Sequence, residues 1–223
     1  MIGFKEQKEI FQLIGSLCKR KIECLVAGGS AMLFYNFKDT TKGVDLILYS
    51  EEDRKYLEEI LLNIKFIKFV EGSNKDGKFL PSRFEKEGFV FDLFAEGIFR
   101  FKTSPGIKER ITEKTEFKNF IVNLISLEDI ILLKSITNRQ GDRHDVANII
   151  EKANINWGVI TQECLWQSEN SYRPFGIHLF DFFEDLEDNY KVTIPKEVRN
   201  KITEIMGKQL EKFSKPGEEN HKS

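Results

Sequence analysis

The chain has 223 residues, of which 40% are hydrophobic and 31% are charged, and this composition is typical of a soluble globular protein. Its formal net charge of -2 gives no overall positive field, which argues against a general nucleic-acid coat protein but leaves a local basic groove open. The length fits either one domain with an appendage or two small domains.

The cysteines and histidines are scattered along the chain without the spacing of a metal site; they are Cys18, Cys24, Cys164, His144, His178 and His221. An odd number of cysteines without a CxxC pair indicates reduced core residues, which favours a cytoplasmic protein. No apolar run approaches the ~20 residues of a membrane span, and the N-terminus lacks the long apolar centre of a signal peptide. We therefore expect a cytoplasmic protein with no membrane partner.

The first third of the chain alternates between helical and strand patterns, as a mixed α/β fold requires. Ser50 precedes a helical pattern that carries an acid, Asp53, in its first turn, which is typical of an N-cap. Glycine and polar residues separate the patterns. The predicted elements are a helix at 4–20, a strand at 22–27, a helix at 30–37, a strand at 44–49, a helix at 51–63 and an edge strand at 65–70.

The middle of the chain continues the mixed pattern, and strand signals nearly disappear after residue 156. The predicted elements are a hairpin-type loop at 71–78, strands at 79–83, 89–94 and 117–124, turns at 105–106 and 138–143, and helices at 127–137, 144–153, 176–188 and after 195. We expect an α/β core over residues 1–153, a helical region over 154–214 and a disordered tail over 215–223.

A glycine turn and two isolated carboxylates carry the chemistry of the predicted core. Gly28, Gly29 and Ser30 end the first strand and open a helix, an arrangement whose free backbone N–H groups suit a phosphate. Asp45 lies near the start of the next strand, and Asp92 interrupts an otherwise apolar strand, where an unpaired acid would be costly to bury. Carboxylates beside a phosphate turn suit Mg²⁺, the ion that accompanies nucleotides.

The stretch GGSAMLFYNFKDTTKGVDLIL resembles the opening motif of the nucleotidyltransferase-fold proteins, the polymerase-β-like superfamily. It is most similar to the uncharacterised prokaryotic domain-of-unknown-function relatives of the abortive-infection type nucleotidyltransferases. Their pattern is roughly Gly-Gly-x-Ala, followed by Arg-x-x-Thr-x-Asp-x-Asp and a hydrophobic residue. The matching residues are Gly28, Gly29, Ala31, Thr41 and Asp45, with Lys38 where arginine is usual.

The resemblance covers about residues 20–150. In VFDLFAEG, Asp92 resembles the third acid of the family. The segment LEDIILLKSITNRQGDRHDVANI resembles a family segment with a helical lysine, a polar turn and an acid-bearing start to the next helix, and its matching residues are Lys134, Arg139, Asp142 and Asp145. The resemblance implies an α/β (α+β) fold, with a nucleotidyltransferase-like mixed sheet flanked by helices and a C-terminal helical tail.

The resemblance also implies a reaction. A nucleotidyltransferase uses Mg²⁺ to transfer a nucleoside monophosphate from an NTP to a small acceptor or to a macromolecular one, such as an RNA or a protein. It implies that Asp45 and Asp92 bind Mg²⁺ and that Asp92 activates the acceptor hydroxyl. Lys134 would neutralise the triphosphate, and Asp145 would complete the catalytic group. The implied nucleotide-binding residues are Gly28, Gly29, Ser30 and Lys42.

One position departs from the family pattern. Gly43 stands where the first acid belongs, and glycine has no side chain to bind a metal ion. Loss of one of three ligands would damage two-metal chemistry, since each metal stabilises developing charge. Asp39, four residues earlier, is an alternative source of the missing carboxylate. The chain is therefore either a nucleotidyltransferase, impaired at Gly43, or a non-catalytic nucleotide- or protein-binding module, which family analogy would place in a toxin–antitoxin or phage-defence pair.

Each candidate also has a structural explanation. The glycines could form only a tight turn, and Asp45 could lie in solvent at the start of its strand. Lys134 could extend its aliphatic stem along an apolar helix. Asp142 and Asp145 could cap a helix or form surface ion pairs. The charged stretch 108–118 is interpreted as a solvated surface, with a grip on an RNA or protein substrate as the alternative.

Overall fold

The computed structural model describes residues 1–75, 78–171 and 174–214, and side chains up to residue 211. Within these ranges a mixed sheet is flanked by helices, which confirms the predicted fold class. The helices are α1 (Phe4–Leu17), α2 (Gly28–Phe34), α3 (Glu51–Asn63), α4 (Pro105–Glu109), α5 (Leu127–Ser135), α6 (Gln140–Lys152), α7 (Trp157–Asn170), α8 (Phe175–Tyr190) and α9 (Lys196–Ser214). The tail predicted to be disordered, 215–223, lies outside the described residues.

The strands are β1 (Ile2–Gly3), β2 (Ile22–Ala27), β3 (Thr40–Thr41), β4 (Val44–Leu48), β5 (Ile67–Val70), β6 (Ser73–Lys75), β7 (Lys78–Leu80), β8 (Ser82–Lys86), β9 (Phe89–Ala95), β10 (Gly97–Ile98), β11 (Phe101–Lys102), β12 (Glu113–Phe117) and β13 (Phe120–Leu124). The main sheet has the order β12–β13–β2–β4–β9–β8–β5, with β5 at one edge as predicted. β13 runs parallel to β2 and β4 runs parallel to β9, while the other neighbours are antiparallel.

The core forms because the central strands are apolar on both faces and need cover from helices. In α1, Phe11 is fully buried and packs edge-on against the rings of Phe117 and Phe120 at centroid distances of 5.6 and 5.5 Å. Burial of one such ring stabilises the fold by about 1.5–3 kcal/mol. Helix α3 packs on β4 and β9, and α2 packs on β2 and β4. This packing fixes the strand ends that carry the candidate site.

The helical region after residue 156 packs on the core as predicted. Helices α7, α8 and α9 pack against one another, and α7 and α8 also pack on α5. Cys18, Cys24 and Cys164 are buried free thiols, in agreement with the prediction that they are reduced core residues. None of the helices in the described ranges is both long and apolar enough to cross a membrane.

Two predicted turns were wrong because local capping favours helix. At Pro105-Gly106 the chain begins α4 instead, since proline suits the first helical position and the Ser104 hydroxyl accepts the N–H of Ile107 at 3.1 Å. The polar turn predicted at 138–143 lies mostly within α6, which begins at Gln140. Asp142 in its first turn favours the helix N-terminus.

Other boundaries also differ from the prediction, and the strand predicted at 79–83, for example, is divided between β7 and β8. The single strand predicted at 117–124 is two antiparallel strands, β12 and β13, because Lys118 reverses the chain with a φ of 55°. The charged stretch 108–118 thus contains an edge strand. The helix predicted at 30–37 is α2, which begins two residues earlier at Gly28 and ends at Phe34.

Candidate functional site

Two parallel strands bring the predicted carboxylates side by side. β4 and β9 pair in register with Asp45 opposite Asp92, so both side chains leave the same face of the sheet. Asp45 is partly buried. Burial, together with the charge of Asp92, raises the pKa of Asp45 from 3.8 to about 7. Asp45 therefore changes charge near neutral pH.

Gly28 lies against the carboxylate of Asp45. A Cβ atom at Gly28 would lie 2.2 Å from Oδ2 of Asp45, a distance that no side chain tolerates. The backbone of Gly28 also has a φ of +59°, in the left-handed region that favours glycine. The glycine is thus required twice: for its conformation and for the space that the carboxylate occupies.

The other predicted nucleotide-binding residues differ in their placement. A Cβ atom at Gly29 would lie 4.0 Å from Nζ of Lys38, so the turn and this lysine are adjacent. The hydroxyl of Ser30 is fully buried and donates to Oε1 of Gln7 at 2.8 Å. Ser30 can therefore face a ligand only through its backbone N–H. Lys42 is exposed in the loop between β3 and β4.

A cluster of alternating charges joins α5, α6 and the loop after α2. Lys134 is buried, and its Nζ donates to Asp142 Oδ1 at 2.6 Å and to Asp145 Oδ2 at 2.7 Å. Lys38 donates to the same oxygen of Asp145 at 2.7 Å, and Arg139 donates to Asp142 at 2.9 Å. Three cationic and two acidic side chains leave one excess positive charge.

This charge cluster acts on the carboxylate pair. Burial alone would raise the pKa of Asp142, but Lys134 and Arg139 hold it below its usual value. The same two cations lower the pKa of Asp45 against the effect of its burial, so they lie within electrostatic reach of it. The structure thus brings Gly28, Asp45, Asp92 and the charge cluster to one region. The side chain of Ser30 points away from this region, toward Gln7.

Arg83 is a site residue that the sequence interpretation missed. Its Nε donates to Oδ1 of Asp92 at 2.8 Å and its Nη2 donates to Oδ2 at 2.7 Å. The hairpin of β8 and β9 places the two residues directly opposite each other. Glu87 and Gly88 both have positive φ, as a two-residue type I′ turn requires. In an antiparallel hairpin with this turn, the residue four before Glu87 faces the residue four after Gly88, so Arg83 faces Asp92. The turn in the sequence was therefore a signal for this pair.

Among the described residues, the first acid of the family pattern, which is missing at Gly43, is not replaced from elsewhere. A Cβ atom at Gly43 would lie 3.1 Å from the carbonyl oxygen of Val90, so the position is also sterically tight. Asp39, the predicted alternative ligand, is exposed. Among the described residues, no three His, Cys, Asp or Glu side chains come together as a metal site. Two carboxylates with substrate phosphate oxygens suit one Mg²⁺ ion, but the donors for a two-metal site are incomplete.

Comparison with known proteins agrees with the motif. The family model described as "Nucleotidyltransferase of unknown function (DUF6036)" matches residues 5–186. The chain belongs to this nucleotidyltransferase family. The predicted membership of the nucleotidyltransferase-fold superfamily is therefore confirmed, and nucleotidyltransferases in general use a divalent metal, an NTP and an acceptor. None of the curated proteins matches the chain.

Two solved structures are similar to this family member. A candidate nucleotidyltransferase from Thermotoga maritima is 18% identical, with a TM-score of 0.40 over 57% of this chain and 82% of its own. The antibiotic-resistance factor ANT(2'')-Ia is 13% identical, with a TM-score of 0.42 over 85% of this chain and 95% of its own. Both are too distant for residue roles to be transferred.

Proposed function

We propose that this family member binds Mg²⁺–NTP at Asp45 and Asp92 and transfers a nucleoside monophosphate to an acceptor hydroxyl, at a rate reduced by Gly43. The observation that carries this proposal is the in-register carboxylate pair beside Gly28. A strand pair that only built the sheet would not place two acids side by side, since each disfavours the charged form of the other.

The proposed roles follow from the contacts of each residue. Asp45 and Asp92 would hold the cation, which when bound would neutralise charge on the phosphates. Gly28 and Gly29 would let the backbone approach the phosphates closely. The excess positive charge of Lys38, Lys134 and Arg139 would attract the triphosphate. Because Asp142 and Asp145 already hold Lys134, its contribution would come from the field of the whole cluster.

The test measures transfer of labelled NTP, with Mg²⁺, to candidate RNAs and proteins. We expect labelling by the wild type and a loss of at least about 100-fold in Asp45→Ala/Asp92→Ala, since these groups stabilise the reacting phosphate. Glu59→Ala/Glu109→Ala removes the same charge from two exposed positions and should label like the wild type. Equal labelling by the wild type and the Asp45/Asp92 variant would rule the proposal out.

A second candidate function is a non-catalytic module that binds Mg²⁺–NTP or another protein. Gly43 and the incomplete donor set favour it. Gly43→Asp discriminates between the two functions, because Val90 needs to move by only a few tenths of an ångström to admit a Cβ atom. Transfer by Gly43→Asp but not by the wild type would favour the binding module. A place in a toxin–antitoxin or phage-defence pair stays a prediction from the resemblance.

A further inference from the structure

Three charged side chains form a row across three neighbouring strands. Asp45 on β4 is opposite Asp92 on β9, and Asp92 is opposite Arg83 on β8. Arg83 binds both oxygens of Asp92 with a guanidinium fork, the strongest geometry for such a pair. The row therefore ends in a cation that is held by one of the two carboxylates proposed to bind Mg²⁺.

The Arg83 pair and a metal ion compete for Asp92. A guanidinium within hydrogen-bond distance neutralises the carboxylate and repels a second cation, so metal binding is weaker while the pair persists. The side chain of Arg83 is 51% exposed, whereas that of Asp92 is only 15% exposed. Arg83 can consequently leave by rotating toward solvent without disturbing the core.

Arg54, which is near Arg83, illustrates an arginine whose ion pairs have a structural role in this fold. The side chain of Arg54 is 1% exposed and is held by Glu51, Glu58 and Ser82. Its removal would leave several buried polar groups without a partner. Arg83 has no such enclosure: it makes its two hydrogen bonds to Asp92, and the charges of Asp45 and Glu85 act on it without a hydrogen bond.

We propose that Arg83 is a phosphate-binding residue that Asp92 holds in position. Mg²⁺ displaces it from Asp92, and its planar fork then binds the triphosphate that accompanies the ion, a geometry that suits phosphate oxygens. The proposal rests on the proposed function of the Asp45–Asp92 pair. Arg83 thereby has opposite effects on the two ligands: it weakens binding of the metal alone and strengthens binding of the metal–triphosphate complex.

The experiment uses Mn²⁺ as the metal probe and inorganic tripolyphosphate as a base-independent phosphate probe, with calorimetry on the full chain. For Arg83→Gln we expect Mn²⁺ affinity to rise by about 3- to 10-fold and tripolyphosphate affinity at saturating Mn²⁺ to fall by about tenfold, as loss of a charge-assisted fork predicts. Arg83→Lys keeps the charge without the fork and should give intermediate values. Lys86→Gln, on the same strand, removes one positive charge elsewhere and should change neither affinity.

The outcomes separate this proposal from the one on which it rests. If the wild type binds Mn²⁺ and Asp45→Asn abolishes that binding, the carboxylate site exists. Unchanged or lower Mn²⁺ affinity in Arg83→Gln would then overturn the role of Arg83 alone. If Asp45→Asn binds Mn²⁺ as well as the wild type does, both proposals fail. Circular dichroism of each variant tests whether the fold is retained. The opposite changes in the two affinities are a second control, because a misfolded variant would lose both affinities.

Discussion

Two groups of buried charge in this molecule differ in how well they are neutralised. Arg110 joins α4 to α5 and α7 by donating to Asp129 at 2.6 Å and to Glu163 at 2.8 Å. Ser126 also donates to Asp129, and Ser104 donates to Glu163. By contrast, no hydrogen-bond donor to the carboxylate of Asp45 is found among the described residues, and its closest charged neighbour in the sheet is another acid, Asp92.

The difference separates a structural cluster from a candidate site. Burial raises the pKa of Asp129, but Arg110 opposes this shift with two hydrogen bonds. At Asp45 burial and Asp92 act together, and the pKa rises to about 7. The placement of Asp45 beside Asp92 lowers the stability of the fold, because two neighbouring carboxylates repel each other. A bound cation would relieve this repulsion. The Arg110 cluster links α4 and α5 to α7, and the Asp45–Asp92 pair is the proposed ligand site.

The largest effect that tests this comparison is expected at Arg110. Arg110→Met should lower the free energy of unfolding by about 3–5 kcal/mol, because it leaves Asp129 and Glu163 buried without their cation. Arg20→Met, which removes a half-exposed arginine from its pair with Asp53, should cost less than about 1 kcal/mol. Urea denaturation measures both values. Equal losses would contradict the structural role of the Arg110 cluster.

The next effect concerns the close approach of Gly28 to Asp45. Gly88→Ala should cost about 1–2 kcal/mol because of its positive φ, and Gly28→Ala should cost more, because it has a positive φ and also the clash with Asp45. A Cβ atom at Gly88 meets nothing within 4 Å, whereas at Gly28 it meets the Asp45 carboxylate. Only Gly28→Ala should therefore weaken Mn²⁺ binding, by about tenfold or more. Retained Mn²⁺ affinity in Gly28→Ala would show that Asp45 is not a ligand in this position.

The burial of Asp45, together with the charge of Asp92, predicts a pH-dependent gain of stability in Asp45→Asn. The raised pKa of Asp45 means that the folded chain holds this proton more tightly than the unfolded chain. The wild type thus loses this stabilisation as pH rises from about 4 through about 7, and asparagine does not. Asp45→Asn should match the wild type near pH 4 and exceed it by about 1–2 kcal/mol at pH 8, a value reduced for partial exposure. Thermal unfolding at both pH values measures this; a gain at pH 4 alone would refute it.

The smallest effect is expected at Arg83, whose side chain is half-exposed to solvent. Arg83→Gln should change the free energy of unfolding by less than about 1 kcal/mol. This small value would contrast with the loss expected at Arg110, although both arginines bind carboxylates with two nitrogens. Urea denaturation of the two variants under identical conditions makes the comparison. A loss of several kcal/mol at Arg83 would assign it a structural role.

The sequence alone located the central features, because these depend on local patterns. Strand periodicity and the glycine turn placed β2, β4 and β9 within about one residue, and the predicted N-cap at Ser50 is formed. The family membership followed from short motifs. The partner of Asp92, Arg83, was missed, although the two-residue turn at Glu87 and Gly88 determines which residues of this hairpin face each other.

Only the tertiary structure decided which partners the polar side chains of the predicted site bind within the protein. Lys134 was predicted to neutralise a triphosphate, but α6 packs beside α5 and supplies Asp142 and Asp145 as its partners. Ser30 belongs to the predicted phosphate turn, yet α1 provides Gln7 for its hydroxyl. These pairings join elements that are distant in sequence, and side-chain direction depends on packing rather than on local pattern. The sequence therefore determined which residues meet at the glycine turn, and the packing of the helices determined which of them remain available to a ligand.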